Sequence, residues 1–160
     1  MLGSAGTAPP VAFRAARAED LGRIVEIERD GFVRPWSREM LARELEHGWS
    51  RVMLAVEPGA GAEERVVGFA VFWLVHDEIH VLNVATSKDA RRRGIGRALM
   101  LLAEDDGRRR GARLATLEVR RSNAAAISLY LSLGYRRVGV RPGYYAEERE
   151  DAIVMEKAIG

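Results

Sequence analysis

Apolar positions along the chain recur with two periods, and the alternation between them outlines the elements. Val11 to Ala16 is a short candidate strand. Leu21, Ile24 and Val25 then fall at helical spacing, and so do Met40, Leu41 and Leu45. Ser37 suits the N-cap of the second of these helices and Gly48 its end. Arg51 to Glu57 and Val66 to Val75 are dense in Val, Phe, Leu and Trp, which predicts two antiparallel strands across a loop at Pro58 to Glu64. Ile79 to Thr86 is a third strand of the same kind. Ile95, Leu99, Leu102 and Ala103 restore the helical period, with Gly107 or Gly111 as the stop. Leu114 to Arg120 is the next strand. Ser122 or Asn123 caps a further helix carrying Ala124, Ile127 and Leu131, which Gly134 ends. Tyr135 to Val140 and Ala152 to Ala158 close the chain as a strand pair, with Pro142 and Gly143 breaking it between them. The order β-α-α-β-β-β-α-β-α-β-β predicts an α/β fold with a mixed sheet.

Composition narrows the class. At 160 residues with 48% hydrophobic content, the chain suits one domain with one sizeable core, expected over residues 11–160. Residues 1–10, rich in Gly, Ala, Ser and Pro, read as a disordered tail without the basic and apolar regions of a signal peptide. No apolar run approaches the ~20 residues of a membrane span, so no membrane partner is expected. The chain has no Cys, which excludes a disulfide framework, a thiolate metal site and a cysteine nucleophile, and fits a reducing cytoplasm. His47, His76 and His80 match no metal-ligand spacing; all three read as structural or surface residues, and no metal is expected. Net charge is only +2, yet Arg91, Arg92, Arg93 and Arg97 cluster, followed by Arg108, Arg109, Arg110 and Arg113. Such local charge points to an anionic partner, either nucleic acid or a phosphorylated small molecule.

The first arginine cluster surrounds a glycine pair. Arg91-Arg92-Arg93-Gly94-Ile95-Gly96-Arg97 joins a predicted strand to a predicted helix. A helix start carries unpaired backbone N–H groups and a partial positive charge, glycines let a phosphate approach that backbone, and arginines add charged donors. The combination suits a pyrophosphate. The spacing matches neither G-x-G-x-x-G nor G-x-x-x-x-G-K-[ST], which disfavours dinucleotide and P-loop readings. On its own, the stretch equally describes a solvated, arginine-rich helix start.

The pattern R-x-x-G-x-G in this setting resembles the acyl-CoA-binding motif of the GNAT acetyltransferases. The resemblance implies that Arg92, Arg93, Gly94, Ile95, Gly96 and Arg97 form the loop for the CoA pyrophosphate, and that Val84, Ala85 and Thr86 line the pantetheine arm. Thr86 departs from the aliphatic residue usual there, a change that backbone contacts would survive. Further stretches are similar to the RimI-type ribosomal-protein-alanine N-acetyltransferases: Leu117-Glu118-Val119 running through Ser122-Asn123-Ala124 to Leu129-Tyr130, then Gly134-Tyr135, Tyr144-Tyr145, Glu150-Asp151, Pro35-Trp36-Ser37 and Asp77-Glu78. This likeness spans about Val11 to Met155. It implies a mostly antiparallel sheet with a parallel split pair and helices on both faces. It also implies acetyl-CoA as co-substrate and a protein N-terminus, of a ribosomal protein above all, as acceptor, with no direct contact to nucleic acid. Pro142-Gly143 stands where related bacterial enzymes carry Arg-Asn, in a loop expected to face the acceptor, and so bears on peptide preference.

The residues themselves suggest a division of labour. Alternation places Glu118 on the opposite strand face from Leu117 and Val119, near a C-terminal strand end where α/β sheets put ligands. A carboxylate there could take a proton from an amine, directly or through water, and the resemblance assigns it that role. Read from spacing alone, it is more readily a surface glutamate paired with an arginine. Tyr130 can donate to a departing thiolate, because a phenol near pKa ≈ 10 stays protonated at rest; core packing is the plain alternative. Asn123, seven residues before Tyr130, lies on nearly the same helix face and can meet the pantetheine arm or simply cap the helix. An α-amine (pKa ≈ 7.7–8.0) asks less of a base than a lysine (pKa ≈ 10.4). Two alternatives remain at this point: a lysine or small amine as acceptor, and a basic RNA-binding module without catalysis. The second lacks any aromatic-rich strand motif or G-x-x-G loop of the known RNA-binding modules.

Overall fold

The computed structural model of the protein describes residues 10–61, 63–145 and 149–160. The tail expected over residues 1–10 lies, apart from Pro10, outside the described residues. The strands are β1 (Ala12–Ala15), β2 (Ser50–Pro58), β3 (Glu64–Val75), β4 (Glu78–Thr86), β5 (Leu114–Arg120), β6 (Arg136–Tyr145) and β7 (Glu150–Ala158). The helices are α1 (Leu21–Gly31), α2 (Arg38–Glu44), α3 (Ile95–Arg109) and α4 (Ala124–Ser132). The strands form one seven-stranded sheet in the order β1-β2-β3-β4-β5-β7-β6. Each neighbouring pair is antiparallel except β4 and β5, which run parallel.

Helices cover both faces, which is why β2 and β3 read as nearly continuous apolar runs. On β3, Phe69 and Val71 pack toward Ile24 and Ile27 of α1 and Leu41 of α2. Ala70 packs with Ile95 and Leu99 of α3, and Phe72 with Met100 and Ala103. On β5, Ala115, Leu117 and Val119 join the α3 side, so Thr116 and Glu118 face the other way. Gly68 lets α3 lie close on the sheet: a Cβ there would stand 3.0 Å from Ile95 and 3.1 Å from the Ala85 carbonyl.

Two irregularities shape the centre. Between Val71 and Phe72 of β3, the register with β4 shifts so that Val71 opposes Asn83 while Phe72 opposes Val81, leaving Leu82 as an extra residue. Ahead of this bulge Ile79 and Val81 face α3; beyond it Ala85 faces the α1 side. The parallel ladder between β4 and β5 runs only from Glu78–Leu114 to Val81–Leu117, and both strands continue past it. The sheet therefore opens into a split at its middle, as the resemblance implied.

Ser37 caps α2, accepting from the Met40 N–H at 3.2 Å, but the helix stops at Glu44, ahead of Gly48. Gly111, at φ +94°, turns the chain after α3, while Gly107 stays helical. The break expected at Pro142 and Gly143 is corrected: β6 continues through both to Tyr145. β6 is the sheet's edge, where proline's missing N–H leaves no ladder bond unmade. A register irregularity absorbs the pair, Gly143 adopts φ +61°, and its N–H donates to Asp151 Oδ1 at 2.9 Å.

Candidate active site

The glycine-bearing loop enters α3 in a conformation that ordinary residues avoid. Arg92 sits at φ +64° and Gly94, the residue capping α3, at φ +77°. No side chain caps this helix start, and the first helical bond runs from the Ala98 N–H to the Gly94 carbonyl. The N–H groups of Ile95, Gly96 and Arg97 precede it and carry the positive end of a 15-residue helix. A Cβ on Gly96 would point into the gap between Val84, Thr86 and Leu129, at 3.8–3.9 Å from each. The absent side chain leaves a gap between the end of β4 and α4, bordered on one side by Val84, which also lines the sheet's split.

The arginines around this loop differ in their duties. Arg93 reaches under it to Glu57 of β2 at 2.8 Å, and Glu57 also accepts from Arg65 at 3.0 Å. Arg65 in turn pairs with Asp89. This network ties the loop to β2 and β3, so the Arg93 side chain supports the loop from beneath. Arg97 donates to Ser132 Oγ at 3.1 Å, joining the helix start to α4.

The split itself is a cleft. Val81, Leu82, Asn83 and Val84 of β4 form one wall and Leu117 to Arg120 of β5 the other; Asn123, Ala126 and Tyr130 close the α4 end, and Phe32, Arg34, Trp36 and Tyr145 its mouth. Of the residues expected to form a site, Val84, Glu118, Asn123 and Tyr130 meet here. Thr86 borders the slot at Gly96, whereas the Ala85 side chain packs into the α1 core, leaving only its backbone toward the slot side. Asn123 accepts from the Ala126 N–H at 3.1 Å, so it both caps α4 and lines the cleft.

Glu118 is only 10% exposed and is bracketed by two basic groups. One carboxylate oxygen meets His80 Nε2 at 2.6 Å, and the other lies 3.4 Å from Arg141 of β6. Tyr130 is enclosed by apolar neighbours, and burial, assisted by the nearby Tyr145, pushes its phenol up to about 12. It therefore remains a proton donor throughout the neutral range. Burial likewise pushes Tyr145 up to about 12, and the Arg120 guanidinium stacks 4.0 Å above its ring. Glu118 and Tyr130 thus share one cleft, and its Val84 wall borders Gly96 at the start of α3.

The Acetyltransferase (GNAT) family model matches residues 21–135, well over half of the chain. The chain belongs to the GNAT acetyltransferase family. As a GNAT protein it is an N-acetyltransferase, not the RNA-binding module weighed above. It is 37% identical over 142 residues to the [ribosomal protein bS18]-alanine N-acetyltransferase of Salmonella typhimurium, covering 88% of this chain and 92% of that one. Identity to the Escherichia coli K12 protein of the same name is 36% over the same length. The crystal structure of the Escherichia coli ribosomal-protein-S18-alanine N-acetyltransferase superposes with a TM-score of 0.83 at 33% identity, covering 94% of this chain and 95% of that one. Arabidopsis thaliana NAA60 in complex with acetyl-CoA shares the fold with a TM-score of 0.83 at 22% identity, covering 94% and 99%.

Other residues at or beside this cleft escaped sequence reasoning. Glu28 of α1 is buried, and burial raises its carboxyl above the usual range; it accepts from the Trp36 N–H at 2.9 Å and from Asn83 Nδ2 at 2.6 Å. These bonds pin the α1–α2 loop to β4 at the cleft mouth. His80, set aside as structural or surface in sequence, sits against Glu118. Its only local signal was alternation, which turns it away from Ile79 and Val81; its partner comes from a strand 38 residues later. Among the described residues no group of three or more His, Cys, Asp or Glu could hold a metal ion. No helix among them is long and apolar enough to cross a membrane.

Proposed function

We propose that this enzyme transfers an acetyl group from acetyl-CoA to the α-amine of a protein, with the N-terminal alanine of ribosomal protein bS18 as its acceptor. The observation that carries the reading is the position of Val84, which borders both the gap left by Gly96 at the uncapped start of α3 and the cleft that holds Glu118 and Tyr130. The N–H groups at Ile95 to Arg97 would hold the pyrophosphate of the co-substrate, and the Gly96 slot would admit its pantetheine arm. Acetyl-CoA supplies an acetyl group activated as a thioester. Glu118 takes a proton from the entering ammonium, so that a neutral amine attacks the carbonyl. Tyr130 gives a proton to the sulfur as the C–S bond breaks, and the second proton shed by the nitrogen as the amide forms restores the phenol. The relatives' names support the alanine acceptor, and chemistry agrees: at neutral pH about a tenth of α-amines are already neutral, against less than about one lysine in a thousand.

The test is thiol release from acetyl-CoA with peptides beginning in Ala, Ser, Met or Gly, and with an N-blocked peptide carrying lysine. The alanine peptide of bS18 is expected to turn over fastest and the blocked peptide not at all. Tyr130→Phe is expected to lower kcat on it by about 10²-fold. Equal turnover of the blocked lysine peptide would overturn the acceptor assignment.

A further inference from the structure

Deprotonation in the cleft raises a second problem, namely where the proton goes. At neutral pH an α-amine arrives mostly as an ammonium. Each turnover then converts RNH3+ and acetyl-CoA into RNHAc, CoA-SH and one free proton. Glu118 is almost closed off by the sheet, with 10% of its side chain exposed, whereas the adjoining His80 is 31% exposed. His80 projects from β4 on the same side as Glu118 projects from β5, in the short stretch where the two strands are still paired.

We propose that His80 is a proton relay, accepting from Glu118 the proton taken off the amine and passing it to solvent. The proposal rests on the reading of Glu118 as the base. In the step, with the ring proton of neutral His80 on Nδ1, the O–H bond on Glu118 breaks and an N–H bond forms on His80 Nε2, across the existing 2.6 Å contact. The imidazolium then loses a proton to water, and carboxylate and neutral imidazole are both restored. Imidazole suits this because one ring nitrogen can accept a proton while the other releases one. The ring is held for the task. The Trp73 indole meets it edge-on at 6.2 Å, and Trp73 Nε1 is itself fixed by a 2.6 Å bond to Glu44 of α2. The charged groups around the pair are Glu118 from β5, Arg141 from β6 on the far oxygen of Glu118, Glu44 behind Trp73, and Glu78 two positions away on β4. His80 acts through Glu118, so its loss should change proton handling and leave acetyl-CoA binding alone.

The experiment compares wild type, His80→Gln and Glu118→Gln in the thiol-release assay from pH 6 to 9, with and without added imidazole. Glutamine at position 80 keeps a hydrogen-bonding group beside Glu118 but cannot carry a proton. His80→Gln is expected to bind acetyl-CoA as wild type does, to lose about tenfold to a hundredfold in kcat below pH 8, and to recover with rising imidazole concentration. Wild type should not respond to imidazole. A wild-type rate and pH profile in His80→Gln, with Glu118→Gln inactive, would overturn the relay and leave the base intact. Loss of rate without imidazole rescue would reduce His80 to holding Glu118 in place, which also overturns the relay. Full activity in Glu118→Gln would instead refute the base assignment.

Discussion

Lys157→Met offers a direct measure of how the α3 side of the core is held. Glu104 of α3 is 2% exposed, yet it carries an acidic side chain into the packed core. Lys157 of β7 donates to one of its oxygens at 2.6 Å and the Tyr135 hydroxyl to the other at 2.9 Å. Methionine keeps most of the lysine's length and apolar stem while deleting the charge. Removing one partner of a buried pair costs about 3–5 kcal/mol, because the remaining charge loses its compensation. Lys157 is 22% exposed, so water reaches the rim of the pair, which places the expected loss near the lower end, about 3 kcal/mol. For a chain of this size that corresponds to a fall in Tm of about 6–12 °C. Urea unfolding should show the midpoint dropping with the slope unchanged. Adding Glu104→Leu removes the stranded charge, so the double variant should be more stable than Lys157→Met alone. A loss below about 1 kcal/mol in the single variant, or a less stable double variant, would refute the argument that an uncompensated buried carboxylate sets the cost.

Two further outcomes follow from the same packing. Gly107→Ala, a change that usually favours a helix by about 1 kcal/mol, should here destabilise by about 1–2 kcal/mol. Its Cβ would lie 2.5 Å from the Cγ2 of Ile79, on the buried side of α3, and a more stable variant in urea would show that the helix can move off the sheet. Asp20 is held below its ordinary 3.8 chiefly by hydrogen bonds from Arg14, so its stabilising effect is complete above that value and is lost as pH falls below it. Asp20→Asn should therefore lower Tm at pH 6 and flatten its decline as pH falls through about 4 and below; parallel curves for the two proteins would sink the assignment.

The order of elements and the glycine-bearing helix start were legible because each depends on local pattern, whereas Glu118 and Tyr130 stood out only through the family resemblance. Period-2 and period-3.6 spacing follow from backbone geometry, and a glycine at φ +77° ahead of a helix is a demand that neighbours in sequence reveal. What tertiary structure alone decided depends on strands that meet from distant parts of the chain. The extra residue at Leu82 exchanges the faces of β4, turning Asn83 toward Glu28, whereas simple alternation would have set it beside Ile79 and Val81. Whether Arg93 faces a ligand or a protein carboxylate turned on Glu57, 36 positions earlier and in a different strand. Proline in β6 is tolerated because that strand lies at the edge, a position set only once the sheet is assembled. His80 came to face Glu118 by the same route, since a parallel neighbour across a crossover helix supplies its partner. Local propensities act over a few residues, but a bulge, an edge and a cross-strand contact exist only when the whole sheet has formed.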